Sequence, residues 1–73
     1  MSVAWFAYEV RYRADGTVHD TLLGRVQGNH AFMPGALEAA AAQFQRPLPP
    51  MTSDPARRDG GRFLVVRLET LRA

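Results

Sequence analysis

The chain has 73 residues, with nine arginines, no lysine, no cysteine and a formal net charge of +2. We therefore expect one small domain over residues 1–73, without disulfides and with a core that gives only modest stability. No apolar run approaches the roughly 18 residues of a membrane-spanning helix, and the N-terminus lacks the pattern of a signal peptide. The expected protein is cytoplasmic and makes no membrane contact.

Two stretches of alternating apolar and polar residues, 3–13 and 17–27, predict the strands of a β-hairpin. A two-residue turn at Asp15-Gly16 would place the apolar face of one strand beside the polar face of the other. A three-residue loop that begins at Ala14 corrects this, because a shift of one residue turns every side chain to the opposite face. Gly16 then takes the left-handed conformation that this loop requires.

This register predicts which residues lie opposite each other in the hairpin. Arg11 is expected opposite His19, and Trp5 opposite Arg25, where the guanidinium would contact the indole ring. Asp20 falls opposite a valine on the side predicted to be buried, which is an unusual place for a carboxylate. The residues expected to face the core are Ala4, Phe6, Tyr8, Val10, Tyr12, Val18, Leu22 and Val26.

The alanine-rich stretch that follows changes to helical spacing. It predicts a helix over residues 34–45, with Pro34 in the first turn and Pro47 just beyond the end. Its small side chains would let the helix lie close on a sheet. The residues expected to face that sheet are Met33, Leu37, Ala40, Ala41 and Phe44.

The proline-rich stretch 46–61 predicts a long loop, because proline favours an extended backbone. The apolar alternation of residues 62–71 then predicts a third strand. A crossover through the helix would place this strand beside the first one, giving the sheet order 2-1-3 with all neighbours antiparallel. We thus expect an α+β fold with the order β-β-α-β and two layers, in which one helix packs on one face of a three-stranded antiparallel sheet.

The sheet face that the helix leaves uncovered is the predicted contact surface, because an apolar patch on a small protein marks an interaction site. It is expected to carry Trp5, Ala7, Glu9, Arg11, His19, Leu23, Arg25, Phe63, Val65 and Arg67. The residues expected to bind a partner are Trp5, Arg11, Arg25, Phe63 and Arg67. A secondary contact near the long loop is expected from Arg57, Arg58 and Arg62.

Catalytic motifs are absent from the sequence, which has no glycine-rich phosphate loop and no nucleophile elbow. His19 and His30 lack the spacing of metal ligands, and the acidic residues form no close pair. We therefore expect a protein that is not an enzyme and that uses no metal or other cofactor.

Three stretches, FAYEVRYRADGT, GALEAAAAQF and GRFLVVRLET, follow one another along the chain. In this order they resemble small phage and mobile-element proteins with a β-β-α-β plan, including some anti-CRISPR proteins. The resemblance is one of pattern over most of the chain, and no functional residue transfers with it. It implies a small inhibitor that blocks a host protein complex by binding to its surface.

The leading hypothesis is thus a non-enzymatic interaction protein with a protein partner. Two alternatives remain open. The arginines and aromatic rings of the uncovered face would suit single-stranded nucleic acid, although acidic residues lie among them. The same face would also be buried if the protein forms a homodimer, which is a common source of stability for a small domain.

Overall fold

The computed structural model describes residues 2–13, 15–48 and 62–71. The elements in chain order are β1 (Ser2–Tyr12), β2 (Val18–Arg25), α1 (Met33–Phe44) and β3 (Arg62–Leu71). Each boundary lies within two residues of the one expected from the sequence. Most of the predicted loop 46–61, including Arg57 and Arg58, lies outside the described residues.

The three strands form one antiparallel sheet in the order β2-β1-β3. β1 is the central strand and pairs with β2 on one side and with β3 on the other. α1 packs against β1 and β3. This arrangement confirms the predicted α+β fold with a 2-1-3 sheet and one helix on one face.

The β1–β2 hairpin closes with the predicted register. The Arg13 amide donates to the Thr17 carbonyl and the Gly16 amide donates to the Arg13 carbonyl, each at 3.0 Å. Gly16 has a φ of 86°, a conformation that glycine adopts without steric cost.

The Asp15 carboxylate accepts hydrogen bonds from the Thr17 amide (2.9 Å) and hydroxyl (2.6 Å). These bonds lower the pKa of Asp15, and the hydroxyl has the largest effect. Tyr12 lies opposite Val18 as expected.

A β-bulge in β2 changes the register farther from the turn. Tyr8 lies opposite Leu22, but Ala7 lies opposite Gly24, so β2 contains one extra residue between these pairs. Arg25 therefore lies opposite Phe6, and the predicted pairing of Arg25 with Trp5 is wrong. A glycine inside a strand is the sequence signal of such a bulge.

The helix covers the opposite face of β1 from the one expected. The buried core comprises Ala7, Val26, Ala36, Ala40, Leu64 and Val66, and partly buried Trp5 and Leu23 pack against it. The prediction that Trp5, Ala7 and Leu23 lie on the uncovered face is therefore wrong. The prediction for β3 is correct, because Leu64 and Val66 are buried while Phe63, Val65 and Arg67 alternate with them.

The size of the side chains explains this choice of face. Gly24, Ala7 and Val66 lie side by side on the three strands and form a row of small residues under α1. A Cβ atom on Gly24 would lie 3.2 Å from the Phe44 ring of α1, so the contact is already close. On the other face the equivalent row consists of Leu22, Tyr8 and Val65, which would hold a helix farther away.

Two alanines of α1 are completely buried against the sheet. Ala36 and Ala40 are both 0 % exposed, whereas Met33, expected in the core, is 55 % exposed. The helix ends where Gln45 takes a left-handed conformation (φ 53°) and the Arg46 amide donates to the Ala41 carbonyl at 3.0 Å. The apolar side of the helix is thus centred on its smallest residues.

We predict that Ala40→Leu lowers the free energy of unfolding by about 1–3 kcal/mol, because three extra carbon atoms must fit into a filled contact. Ala42→Leu is the matched control, since Ala42 is exposed on the same helix, and it should change the free energy by less than about 0.5 kcal/mol. Urea denaturation followed by circular dichroism measures both. An equal effect of the two substitutions would contradict the close helix–sheet contact.

Candidate partner-binding face

The sheet face opposite α1 carries a continuous set of aromatic and aliphatic side chains, which we call the open face. Its central strand contributes three aromatic rings, and each outer strand adds two apolar residues together with charged ones. The open face comprises Phe6, Tyr8, Tyr12, Val18, Asp20, Leu22, Arg25, Phe63, Val65, Arg67 and Glu69.

The end of the open face nearest the hairpin turn is built from stacked rings. Tyr12 and Phe63 lie 5.6 Å apart between ring centroids, with an angle of 18° between their planes. Val10 lies next to them on β1, between Asp20 and Phe63, and is only 4 % exposed. The large side chains around Val10 thus shield the sheet from water in the absence of a helix.

The β2 edge of the open face is its most exposed apolar part. Val18 is 49 % exposed and Leu22 is 56 % exposed. Phe6, Tyr8 and Val65 are partly exposed beside them. This side of the sheet therefore presents apolar surface whose burial would be favourable.

A polar network crosses the middle of the open face. The Arg67 guanidinium lies 4.5 Å from the centre of the Tyr8 ring and donates to the Asp20 carboxylate at 2.7 Å. The Tyr8 hydroxyl donates to the Glu69 carboxylate. Side chains of β3, β1 and β2 are thus joined in one chain of contacts, with Arg67 placed over the central strand.

The network changes the acid–base behaviour of its members. The hydrogen bond to Glu69, followed by desolvation, raises the pKa of Tyr8 above its ordinary value, and only Arg67 acts in the other direction. The hydrogen bond with Asp20 raises the pKa of Arg67. Tyr8 therefore stays neutral over a wider pH range, and the charge of Arg67 is paired with Asp20.

The structure divides the residues that were expected to bind a partner. Phe63 and Arg67 lie on the open face. Trp5 lies on the helix side, where its indole nitrogen donates to the His30 carbonyl at 3.0 Å. Arg25 is exposed and lies opposite Phe6, which places it on the open face as well, at the end farthest from the hairpin turn.

The remaining arginines lie elsewhere. Arg11 and Arg62 are exposed and lie opposite each other on β1 and β3. Alternation along the strands places them on the helix side, and Arg11 lies opposite His19 as predicted. The expected contacts of Arg57 and Arg58 fall outside the described residues.

Several residues of the open face were not predicted as contacts. Tyr8, Tyr12 and Leu22 were assigned to the core because they form the more apolar side of the hairpin. Asp20 indicated in the sequence that this side is exposed, since a carboxylate is expected there only if that face of the sheet contacts water. Its pairing with Arg67 depends on the relative placement of β2 and β3, which local pattern does not provide.

Trp5 borders a separate groove of about 410 Å³ at the end of the sheet. Val3 and Leu68 form part of its wall, and they are 55 % and 54 % exposed. Ala4 and Arg25 also line the groove, at the end of the sheet farthest from the hairpin turn.

Comparisons of the chain with protein-family models, curated proteins and solved structures found no match. No helix in the described part of the chain is long and apolar enough to cross a membrane. Within residues 2–13, 15–48 and 62–71, no three acidic or histidine side chains cluster as metal ligands would.

We predict that Glu69→Gln lowers the pKa of Tyr8 toward the ordinary value of about 10, because an amide lacks the negative charge that disfavours the phenolate. NMR titration of the Tyr8 ring measures this change. Glu38→Gln removes the same charge from an exposed position in α1 and should leave the pKa of Tyr8 unchanged. The same Tyr8 pKa in both variants and in the wild type would contradict the hydrogen bond between Tyr8 and Glu69.

Because the pKa of Tyr8 is raised in the folded protein, the free energy of unfolding should decrease as the pH rises through the alkaline range. The network's contribution is fully present below the unfolded pKa of about 10 and is lost as the pH rises through the folded pKa. Unfolding measurements in alkaline solution should therefore show a steeper loss of stability for the wild type than for Glu69→Gln.

Proposed function

We propose that this chain is a non-enzymatic interaction protein that binds a protein partner through the open face. The observation that carries the proposal is the partly exposed set of aromatic and aliphatic side chains opposite α1. Aromatic residues and arginine are the side chains that most often dominate binding energy at protein interfaces. Here Tyr8, Tyr12, Phe63 and Arg67 are held in place by mutual contacts, so little side-chain freedom is lost on binding.

The charges of the open face favour a protein over nucleic acid. Asp20 and Glu69 are acidic and Arg25 and Arg67 are basic, so the formal charges of the face sum to zero. Arg67 already pairs with Asp20 at 2.7 Å. Phosphate groups would meet a surface with no excess positive charge, whereas nucleic-acid binding depends on such an excess. The expected partner surface is apolar, with polar groups placed to meet the central network.

The finer proposal is a phage-type inhibitor, similar to anti-CRISPR proteins, that acts in the cytoplasm by covering a host protein complex. It rests on the resemblance of the β-β-α-β pattern and on the small size of the chain. Occupation of a surface requires no catalytic group, which agrees with the absence of catalytic motifs from the sequence.

We predict that Leu22→Lys weakens partner binding at least tenfold, because it places an ammonium group in the apolar contact. Leu68→Lys is the matched control: Leu68 is 54 % exposed against 56 % for Leu22, but it lies on the helix side. The partner is captured from host extract with the wild type and then purified. The dissociation constants of both variants are measured by calorimetry, after circular dichroism shows that each is folded.

Equal binding by both variants, or a greater loss with Leu68→Lys, would place the contact elsewhere. If sedimentation shows a dimer that Leu22→Lys converts to monomer, and no host protein binds, the open face is a homodimer interface and the proposal fails. Oligonucleotide binding that weakens steeply with salt and is lost in Leu22→Lys would establish the nucleic-acid alternative instead.

A further inference from the structure

Three basic or titratable side chains form a row across the helix side of the sheet. Arg11 on the central strand lies opposite His19 on β2 and opposite Arg62 on β3. All three are exposed. The next row toward the helix contains Glu9, which binds Arg46 just beyond the end of α1. The row therefore lies at the end of the sheet that α1 leaves uncovered.

Among the described residues, the acidic group in the neighbouring row is already neutralised. Glu9 is two residues from Arg11 on the same face, and its carboxylate accepts from the Arg46 guanidinium at 2.9 Å. The other ion pair among the described residues, between Arg67 and Asp20, lies on the open face. Within the described part of the chain, Arg11 and Arg62 thus carry two positive charges without a paired carboxylate.

Two guanidinium groups at directly opposed positions repel each other and reduce the stability of the strand pair. Cross-strand neighbours of an antiparallel pair are about 4.5–5.5 Å apart at their Cα atoms, so both side chains can reach one small ligand. An anion between them would replace repulsion with two sets of charge-assisted hydrogen bonds.

We propose that Arg11 and Arg62 form a binding site for a phosphate group. A phosphate matches this pair better than a carboxylate for two reasons. The charge of a terminal phosphate approaches −2, which balances two guanidinium groups. Its three acceptor oxygens can accept hydrogen bonds from both planar guanidinium groups at once. The two oxygens of a carboxylate are already satisfied by one arginine.

Terminal phosphate groups of this kind are found in small molecules. A backbone phosphate of a nucleic acid carries only one charge and two free oxygens, so two neighbouring backbone phosphates would be needed to balance the two arginines. The site lies on the opposite side of the sheet from the open face. It does not depend on the function proposed above, and each can fail without the other.

The experiment is a titration of the ¹⁵N-labelled protein at low salt with pyrophosphate in one arm and single-stranded oligothymidylate in the other. An acidic peptide, titrated in the same way, is the control for carboxylate binding. We expect pyrophosphate to shift the side-chain Nε–H signals of Arg11 and Arg62. Arg11→Gln or Arg62→Gln should weaken its binding at least fivefold. Arg25→Gln, which removes the same charge at an exposed position on another part of β2, should change the affinity less than twofold.

The two arms distinguish the sources of phosphate. Oligothymidylate affinity well above that of pyrophosphate, with a salt dependence reduced in Arg11→Gln, identifies nucleic-acid backbone as the ligand. Comparable affinities identify a small phosphate compound. The proposal is overturned if neither ligand shifts the two arginines, if Arg25→Gln is as harmful as the other variants, or if an acidic peptide binds more tightly than pyrophosphate.

Discussion

The close approach of the α1 alanines to the row Gly24–Ala7–Val66 is the constraint on which the rest of the structure depends. Small side chains on both surfaces let the helix lie near the sheet, and the resulting van der Waals attraction strengthens a core that is short of residues. The bulge at Gly24 serves the same packing, because any larger residue there would meet Phe44.

Because the helix occupies the small-residue side, the large side chains of β1 remain on the other side of the sheet. There they cover the backbone themselves: Tyr12 stacks on Phe63, and Arg67 lies over Tyr8 while it pairs with Asp20. This layer keeps Val10 nearly dry without a second layer of secondary structure. The same packing leaves apolar surface partly exposed, and it is this remaining surface that we propose a protein partner covers.

Local pattern was a good guide to the elements and a poor guide to the side that the helix covers. Alternation in the hairpin shows which residues share a face, and it correctly predicted the pairing of Tyr12 with Val18. Alternation ranks two faces by polarity, however, and the more apolar face was taken as the core. A helix with alanines on its contact side packs best against small side chains. The face with Ala7 is therefore buried, and Tyr8 on the other face stays partly exposed. The carboxylate of Asp20 on the apolar side was the one local sign of this outcome.

By itself, the sequence determined the three strands, the helix, the three-residue hairpin loop and the 2-1-3 order of the sheet, because each depends on nearby residues or on general rules of chain connection. It also placed Phe63 and Arg67 on the uncovered side. Only the tertiary structure decided that Trp5 belongs under the helix, that Arg67 reaches Asp20 across β1, and that Arg11 and Arg62 lie opposite each other. These contacts join residues far apart in the chain. They depend on a bulge and on side-chain volume, and the alternation of polar and apolar residues predicts neither.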